Sequence, residues 1–514
     1  MMKVLVRTDA SAQIGSGHLM RCAALAHALR NGEAKVTFAM RQAPPAMEEL
    51  VRSQGHGTLR LPEISAPRIE GWLAVPWESD ASQTLAALEA QGGVDWLVVD
   101  HYGIDFRWEE RVRAAGCKVL VIDDLAISKH SCDVLLNQNL VANAEERYRP
   151  LVPSACRLML GPKFALLREE FRAARAVLSR DPQRMNRVLV FLGGGDPDGV
   201  TLTVLAVVDA VRPGGLEVSV VIGANNPHRN AIEQLYARRD GYQVITQTPH
   251  MAQVMVEADL AVGAGGVSTW ERCCLGLPAV VLAIAENQQE VSLAASEAGA
   301  CIFLGPSTEV TPETLEASLR VVIGNAGVRK MLSEAGAKLV DGLGCQRVAR
   351  IMLQRPLHLR PARAEDAKRL FEWRNAEPTR RHFHDPSPLT LQGHMRWFRD
   401  CLNDDSRALL IGEDGGLPVG VLRYDFGRSV ATVSIYLDPA LHGHGYGPQL
   451  LLAGEQWLQQ TKPEVVSVRA EIAPANDASR SAFEEAGFRA SGLLFDKALR
   501  IESAFDRRAS AGDL

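Results

Sequence analysis

The constraint that most limits the fold of this chain is a series of short, unbroken apolar segments alternating with helical patterns. Segments 3–7, 34–40, 94–100, 118–123 and 132–137 are rich in Val, Ile and Leu, with little apolar–polar alternation. Such strands are buried on both faces, and strands of this kind separated by helices build a parallel sheet in a doubly wound α/β domain. The pattern repeats with strands at 187–192, 217–222, 242–246, 259–263, 279–284 and 301–304, closed by helices near 329–340 and 345–354. A polar stretch, 179–186, reads as the linker between the two series. At 514 residues the chain exceeds one ordinary core, and about three domains are expected. The pattern changes again at Arg355-Pro356. The expected organisation is α/β throughout: a first domain over 1–180, a second over 187–354, a smaller third over 357–500, and a small, polar, disordered tail over 507–514. Two parallel α/β domains in tandem leave a cleft, the usual place for a nucleotide.

Composition removes several function classes. The formal net charge of -5 argues against a general nucleic-acid binder, which needs a basic surface. No run of about 18 apolar residues occurs, so no membrane span is expected. The chain opens on a strand pattern rather than a charged segment followed by an apolar core, and a cytoplasmic protein is expected. The nine cysteines are odd in number, form no CxxC and lie mostly in apolar segments, as reduced core thiols do. His382 with His384, and His442 with His444, are close pairs without a carboxylate or cysteine cluster, so no metal is expected.

The first apolar strand runs into a turn bearing Gly15 and Gly17, then His18 and a helical segment over 19–30. A strand, a glycine turn and a helix start form an anion site, because free backbone N–H groups and the helix dipole point at the turn. The positive helix end disfavours imidazolium, so His18 is expected to stay neutral and able to take a proton from water. Asp9, Asp100 and Tyr102 stand at strand ends in the same domain, as further catalytic candidates or as structural polar groups. In the second domain, strand 187–192 ends in Gly193-Gly194-Gly195, which lets backbone approach a bulky anion. Strand 259–263 leads to Gly265, Gly266, Ser268, Thr269 and Glu271. That turn can hold a diphosphate through N–H groups and the two hydroxyls, and Glu271 can bridge two ribose hydroxyls. The S-x-x-E spacing also fits Ser268 as a helix N-cap with Glu271 as its capping-box partner.

Residues 263–271, followed by Cys274-Leu275-Gly276-Leu277-Pro278 and Asn287-Gln288-Gln289, resemble the UDP-binding half of glycosyltransferases with two facing Rossmann-like domains, such as the lipid II-forming N-acetylglucosaminyltransferases. GSGHLMR at 15–21, DHYG at 100–103, GPKFALLR at 161–168 and GGVSTWER at 265–272 together resemble a narrower family, the UDP-2,4-diacetamido-2,4,6-trideoxy-β-L-altropyranose hydrolases of pseudaminic acid biosynthesis. The resemblance covers about 1–354. It implies metal-independent hydrolysis of a UDP-sugar with inversion, His18 acting as general base. It also implies that the 248–251 segment, with His250 and Met251, holds the uracil through backbone groups.

In the third domain, strand 430–437 precedes His442-Gly443-His444-Gly445-Tyr446-Gly447 and a helix over 448–460. This resembles the acetyl-CoA pyrophosphate loop of GCN5-related N-acetyltransferases, with His442 where Arg or Gln is usual. Strand 465–473, Asn476 and Phe483 resemble that family's second CoA element, with Phe483 near the position where many members carry a tyrosine acid. Tyr446 or water is then the alternative acid, and Glu471 a weak candidate base. Phe371-Glu372-Trp373-Arg374-Asn375 and His394-Met395-Arg396-Trp397-Phe398 resemble nucleotide-amino-sugar N-acetyltransferases; Trp373 and Trp397 also fit a core. The two resemblances imply consecutive steps: acetylation of the 4-amine of UDP-4-amino-4,6-dideoxy-N-acetyl-β-L-altrosamine by the co-substrate acetyl-CoA, then removal of UDP. A UDP-sugar glycosyltransferase, and a catalytically silent CoA-binding third domain, stay open as alternatives, as does the oligomeric state.

Overall fold

The computed structural model describes residues 1–11, 14–62, 72–224, 226–353, 357–383, 385–442, 445–473, 476–491 and 494–498. The expectations placed on Gly443, His444, His384 and the 507–514 tail lie outside them. The chain divides into two compact units, Met1–Leu353 and Gln354–Leu514.

The first unit holds both parallel sheets. Its N-terminal sheet contains β1 (Lys3–Thr8), β2 (Lys35–Met40), β3 (Gly57–Arg60), β4 (Trp96–Asp100), β5 (Lys118–Ile122), β6 (Val134–Asn137) and β7 (Arg157–Leu160), in the order β3-β2-β1-β4-β5-β6-β7. The short edge strands β3 and β7 were not expected from the sequence. Both are only partly buried, so neither carries a long apolar run. The second sheet contains β8 (Arg187–Phe191), β9 (Glu217–Ile222), β10 (Tyr242–Thr246), β11 (Leu260–Ala264), β12 (Ala279–Ala283) and β13 (Ile302–Pro306), in the order β10-β9-β8-β11-β12-β13. Every expected strand of this series is present. In both sheets the first strand has its successor on one side and a later strand on the other. This reversal makes a topological switch point, between β1 and β4 and between β8 and β11.

Two segments cross the boundary drawn from the linker. The helix α2 (Glu169–Val177) follows Ala165 and Leu167, and these residues with Phe171 pack in the core of the second sheet, beside α3 (Val267–Cys274). The last helix of the unit, α4 (Gly344–Leu353), was expected to close the second sheet. It packs instead on the first: Cys345, Val348, Ala349 and Met352 join Leu19, Cys22, Ala26 and Leu29 of α1 (Gly17–Asn31). The i, i+3, i+4, i+7 stripe dictates a buried helical face but not the sheet it buries against. Trp96 Nε1 donates to the Met352 carbonyl at 3.0 Å, tying this helix to β4.

The second unit is one seven-stranded sheet: β14 (His358–Pro361), β15 (Arg407–Asp414), β16 (Leu417–Phe426), β17 (Val430–Leu437), β18 (Ser467–Glu471), β19 (Arg489–Ser491) and β20 (Leu494–Ala498), in the order β14-β15-β16-β17-β18-β20-β19. All its pairings are antiparallel except β17 with β18. That parallel pair joins only at Val430–Ser467, Ala431–Val468 and Thr432–Arg469, after which β17 runs on to Leu437 paired with β16 but not with β18. The two strands therefore part toward their C-terminal ends. Helix α5 (Tyr446–Thr461) follows β17, and α6 (Asp477–Glu485) follows β18.

Candidate active sites

In the first unit the structure brings His18, Asp100 and Tyr102 together at the β1/β4 switch point. Helix α1 begins at Gly17, two residues earlier than expected, so His18 lies in its first turn. Asp100 ends β4 and is 1% exposed. His18 Nδ1 is 2.5 Å from Asp100 Oδ1, and the Tyr102 ring meets the imidazole edge-on with centroids 4.6 Å apart. Arg21 grips the same carboxylate with two donors, Nε to Oδ2 at 2.7 Å and Nη2 to Oδ1 at 2.7 Å. Its third arm, Nη1, donates to Asp124 Oδ2 at 2.7 Å, which also accepts from the Tyr102 hydroxyl at 3.2 Å. Burial pushes the Asp100 carboxyl up, but Arg21 and His18 together hold it well below the usual carboxylate range. An ionised Asp100 only accepts hydrogen bonds, so His18 Nδ1 carries the proton that faces it. In the neutral ring the remaining lone pair is then on Nε2. Burial, then the Asp124 charge, raises Tyr102 far above the range of an ordinary phenol, so its hydroxyl is a donor at neutral pH.

Arg21 and Asp124 were not singled out from the sequence. Arg21 had a legible signal: it follows His18 by three residues on a helix, a spacing that puts both on one face. Asp124 had none, since it reaches the site only through the pairing of β4 with β5.

Asp9 makes none of these contacts, and its surroundings favour the structural of its two readings. It is fully buried; Oδ1 accepts from the backbone N–H groups of Arg41 at 2.7 Å and Gln42 at 3.1 Å, and Arg7 pairs with the same carboxylate. Arg7 also grips Asp80, which accepts from Trp108 Nε1 at 3.0 Å. His101 Nε2 lies 3.3 Å from Asp9 Oδ2. With its oxygens already engaged, Asp9 anchors the start of the β1–α1 turn from inside.

At the second switch point, the glycine turns after β8 and β11 lie at adjacent strand ends. Side chains at Gly15, Gly17, Gly194, Gly195 and Gly266 would meet no atom within 4 Å, whereas one at Gly265 would strike Ser292 Oγ at 2.4 Å. Gly265 is thus a packing glycine under the turn. Gly266, at φ +101°, is the N-cap of α3 in a conformation that disfavours side chains. Ser268 lies inside α3 and caps nothing, so the capping-box reading fails. Its Oγ accepts from Arg272 Nη1 at 3.2 Å. The Thr269 hydroxyl is also turned inward, accepting from Arg272 Nη2 at 3.1 Å with the residue 1% exposed; this corrects its expected diphosphate contact. Arg272 is itself buried beneath the turn, donates to the Ala264 carbonyl at 2.9 Å, and has no ion-pair partner among the described residues. Its donors are spent on the Ala264 carbonyl and the Ser268 and Thr269 hydroxyls, which fixes the turn between β11 and α3 from below.

Glu271 is freed from capping. Arg168 Nη2 is 3.3 Å from its Oε1, while Arg168 Nη1 donates to the Pro249 carbonyl at 3.3 Å. Burial raises the Glu271 carboxyl above its ordinary value, with Arg168 opposing. Arg168 thereby joins Glu271 to the turn before the helix Met251–Glu257. His250 stands at the N-cap position of that helix without a side-chain cap bond and is exposed; the Met251 side chain is in the core.

In the second unit, Gly445 is the N-cap of α5 at φ +74°, and Tyr446 and Gly447 open the helix. Tyr446 is 3% exposed and donates to Asp414 Oδ2 at 3.2 Å, a structural placement that corrects its reading as an acid. His442 ends the short turn before this loop. Asn476 caps α6, its Oδ1 accepting from Ser479 N at 3.1 Å. Phe483 is buried against Phe488 and Phe495, so its ring is core rather than ligand wall. Glu471 is exposed on the last residue of β18, beyond the point where β17 and β18 part. Trp373 is core, and Trp397 packs partly buried beside His394 and Phe398.

Residues 188–341 match the glycosyltransferase family 28 C-terminal domain, and residues 356–489 match the acetyltransferase (GNAT) domain. The spore coat polysaccharide biosynthesis protein SpsG of Bacillus subtilis (strain 168) is 34% identical over 209 residues, 40% of this chain and 61% of that protein. The UDP-2,4-diacetamido-2,4,6-trideoxy-β-L-altropyranose hydrolase of Campylobacter jejuni subsp. jejuni serotype O:2 is 27% identical over 259 residues, 50% of this chain and 83% of the hydrolase. A crystal structure of Acinetobacter baumannii MurG aligns over 69% of this chain and 100% of its own, at 14% identity and a TM-score of 0.47. Part of this α/β chain is thus similar to the UDP-sugar hydrolase, residues 188–341 carry a glycosyltransferase family 28 C-terminal domain, and residues 356–489 carry a GNAT acetyltransferase domain.

Proposed function

We propose that the chain is a bifunctional enzyme of pseudaminic acid biosynthesis that first acetylates a UDP-amino sugar and then removes UDP with water. The observation that carries the hydrolytic half is the His18–Asp100 pair, locked by Arg21 at the β1/β4 switch point. In this scheme His18 Nε2 accepts a proton from water as the water oxygen attacks the anomeric carbon. The carbon–oxygen bond to the diphosphate breaks, and UDP leaves with the electron pair. The glycine turns around Gly194 and Gly266 stabilise the leaving charge, and Glu271 holds the ribose. Inversion and independence from metal are part of the proposal, as is a cytoplasmic location; no helix among the described residues is long and apolar enough to cross a membrane.

The parted β17 and β18 and the Gly445-capped helix support acetyl-CoA binding in the second unit. There the 4-amine of UDP-4-amino-4,6-dideoxy-N-acetyl-β-L-altrosamine attacks the thioester carbonyl and the carbon–sulfur bond breaks. CoA leaves, and Glu471 or water takes the amine proton. The family 28 match supports a second reading, transfer of the sugar to an acceptor other than water.

One assay tests both halves: the full-length protein with that UDP-amino sugar, with and without acetyl-CoA, followed by mass spectrometry and proton NMR. Acetyl-CoA-dependent release of UDP and 2,4-diacetamido-2,4,6-trideoxy-L-altrose is expected. Acetylation with the UDP-sugar left intact would favour the transferase. No acetylation would leave the second unit a binding module.

A further inference from the structure

The two switch points are joined by one continuous hydrogen-bond chain. Trp270, on α3 between Thr269 and Glu271, is fully buried, and its Nε1 donates to Asn139 Oδ1 at 3.0 Å. Asn139 Nδ2 donates to Asp124 Oδ1 at 3.0 Å. Asp124 Oδ2 accepts from Arg21, Arg21 holds Asp100, and Asp100 faces His18. Asn139 is held in turn by its own backbone N–H, which donates to Asn137 Oδ1 at 2.8 Å. The chemistry at Asn139 admits few substitutes. An indole N–H only donates and a carboxylate only accepts, so the bridge needs one acceptor and one donor on a short rigid stem, which a primary amide supplies.

We propose that Asn139 and Trp270 are positioning residues that fix the nucleotide-binding helix α3 against the His18–Asp100 pair, so that the attacking water and the leaving diphosphate are held in line. This rests on the hydrolase reading above. Neither residue touches the reacting atoms; both act through Asp124 and Arg21. Losing the bridge leaves the glycine turns and Glu271 able to hold UDP but loosens their registration on His18, a displacement to which rate is far more sensitive than binding.

The test is a double-mutant cycle on the full-length protein with Trp270→Phe, Asn139→Ala and the pair, reading kcat for UDP-sugar hydrolysis, calorimetric Kd for UDP, and the melting temperature. Trp270→Phe keeps an aromatic ring and removes the N–H. Each single variant is expected to lose about tenfold in kcat with the Kd for UDP within about twofold. The pair should lose about tenfold as well rather than about a hundredfold, because both substitutions break the same hydrogen-bond chain. Asn139→Asp, which keeps the volume but sets a carboxylate against Asp124, should lose as much as the alanine variant. Losses that multiply, a UDP affinity that falls as far as kcat, or full activity in Asn139→Asp would overturn the inference. Wild-type protein that binds UDP but never hydrolyses a UDP-sugar would overturn the hydrolase reading, and this inference with it. Should a variant unfold, Asn139→Gln, which retains donor and acceptor, must recover at least part of the lost rate for the inference to stand.

Discussion

The two units build their sites by opposite means. In the first, the chemistry sits in buried side-chain charge: His18, Asp100, Arg21 and Asp124, with Asn139 on the far oxygen of Asp124, form a set in which each carboxylate oxygen is engaged. In the second, the described part of the site is mostly backbone: a strand pair that parts after Thr432 and a helix start capped by Gly445. The side chains expected to contribute there, Tyr446, Asn476 and Phe483, are used for packing or capping. A charge network fails when one member is removed, because its partners stay buried and unpaired. A backbone cradle is indifferent to most side-chain changes and sensitive to shape.

That contrast can be broken or sharpened in order of expected effect. His18→Ala should cut UDP release by about 10²–10⁴-fold while acetyl transfer is untouched; assaying both reactions on one preparation shows whether the units are chemically independent. Asp100→Asn should cost about 10²-fold or more in hydrolysis, since the amide no longer fixes the proton on Nδ1. The same variant reads out pH linkage. Asp100 has a depressed carboxyl in the folded state, so its stabilisation is full above the ordinary carboxylate value of about 4 and is lost as pH falls toward the folded value. Melting temperature should therefore fall less steeply below about pH 4 in Asp100→Asn than in the wild type.

Glu271→Ala should weaken UDP binding by about 1–3 kcal/mol, the loss of charge-assisted hydrogen bonds to the ribose. Unchanged calorimetric affinity would confine Glu271 to its pairing with Arg168. In the second unit, Phe483→Tyr should lower the melting temperature, because a hydroxyl buried between Phe488 and Phe495 costs about 1–3 kcal/mol, and should not speed acetyl transfer. Faster transfer would mean the ring turns to the thioester. The smallest effect is expected from EDTA, which should leave the hydrolysis rate unchanged; inhibition reversed by a divalent ion would refute the metal-independent scheme.

Much of this was legible in one dimension. Unbroken Val/Ile/Leu runs gave away the strands of both parallel sheets, save the partly buried edges β3 and β7, because burial on both faces leaves a compositional mark. The glycine turns after β1, β8 and β11 were equally plain, since strand ends followed by helix starts are local features. Misreadings came where one spacing serves two purposes. Ser268 and Glu271 satisfy a capping pattern, yet the helix starts one residue before Ser268 and both side chains face elsewhere. Asp9 stands at a strand end like Asp100, but the chain folds Arg41 and Gln42 over it.

By itself the sequence determined what is set by near neighbours: which segments are strands, where backbone N–H groups lie free at helix starts, and that a histidine stands at one of them. Tertiary structure alone decided that α4 returns to the first sheet, that Asp124 and Asn139 meet Arg21 and Trp270, and that Asp9 is sealed while Asp100 faces His18. Those outcomes depend on which strands pair and which apolar stripe finds which surface. Such contacts join residues as far apart as Asn139 and Trp270, and no local periodicity encodes them.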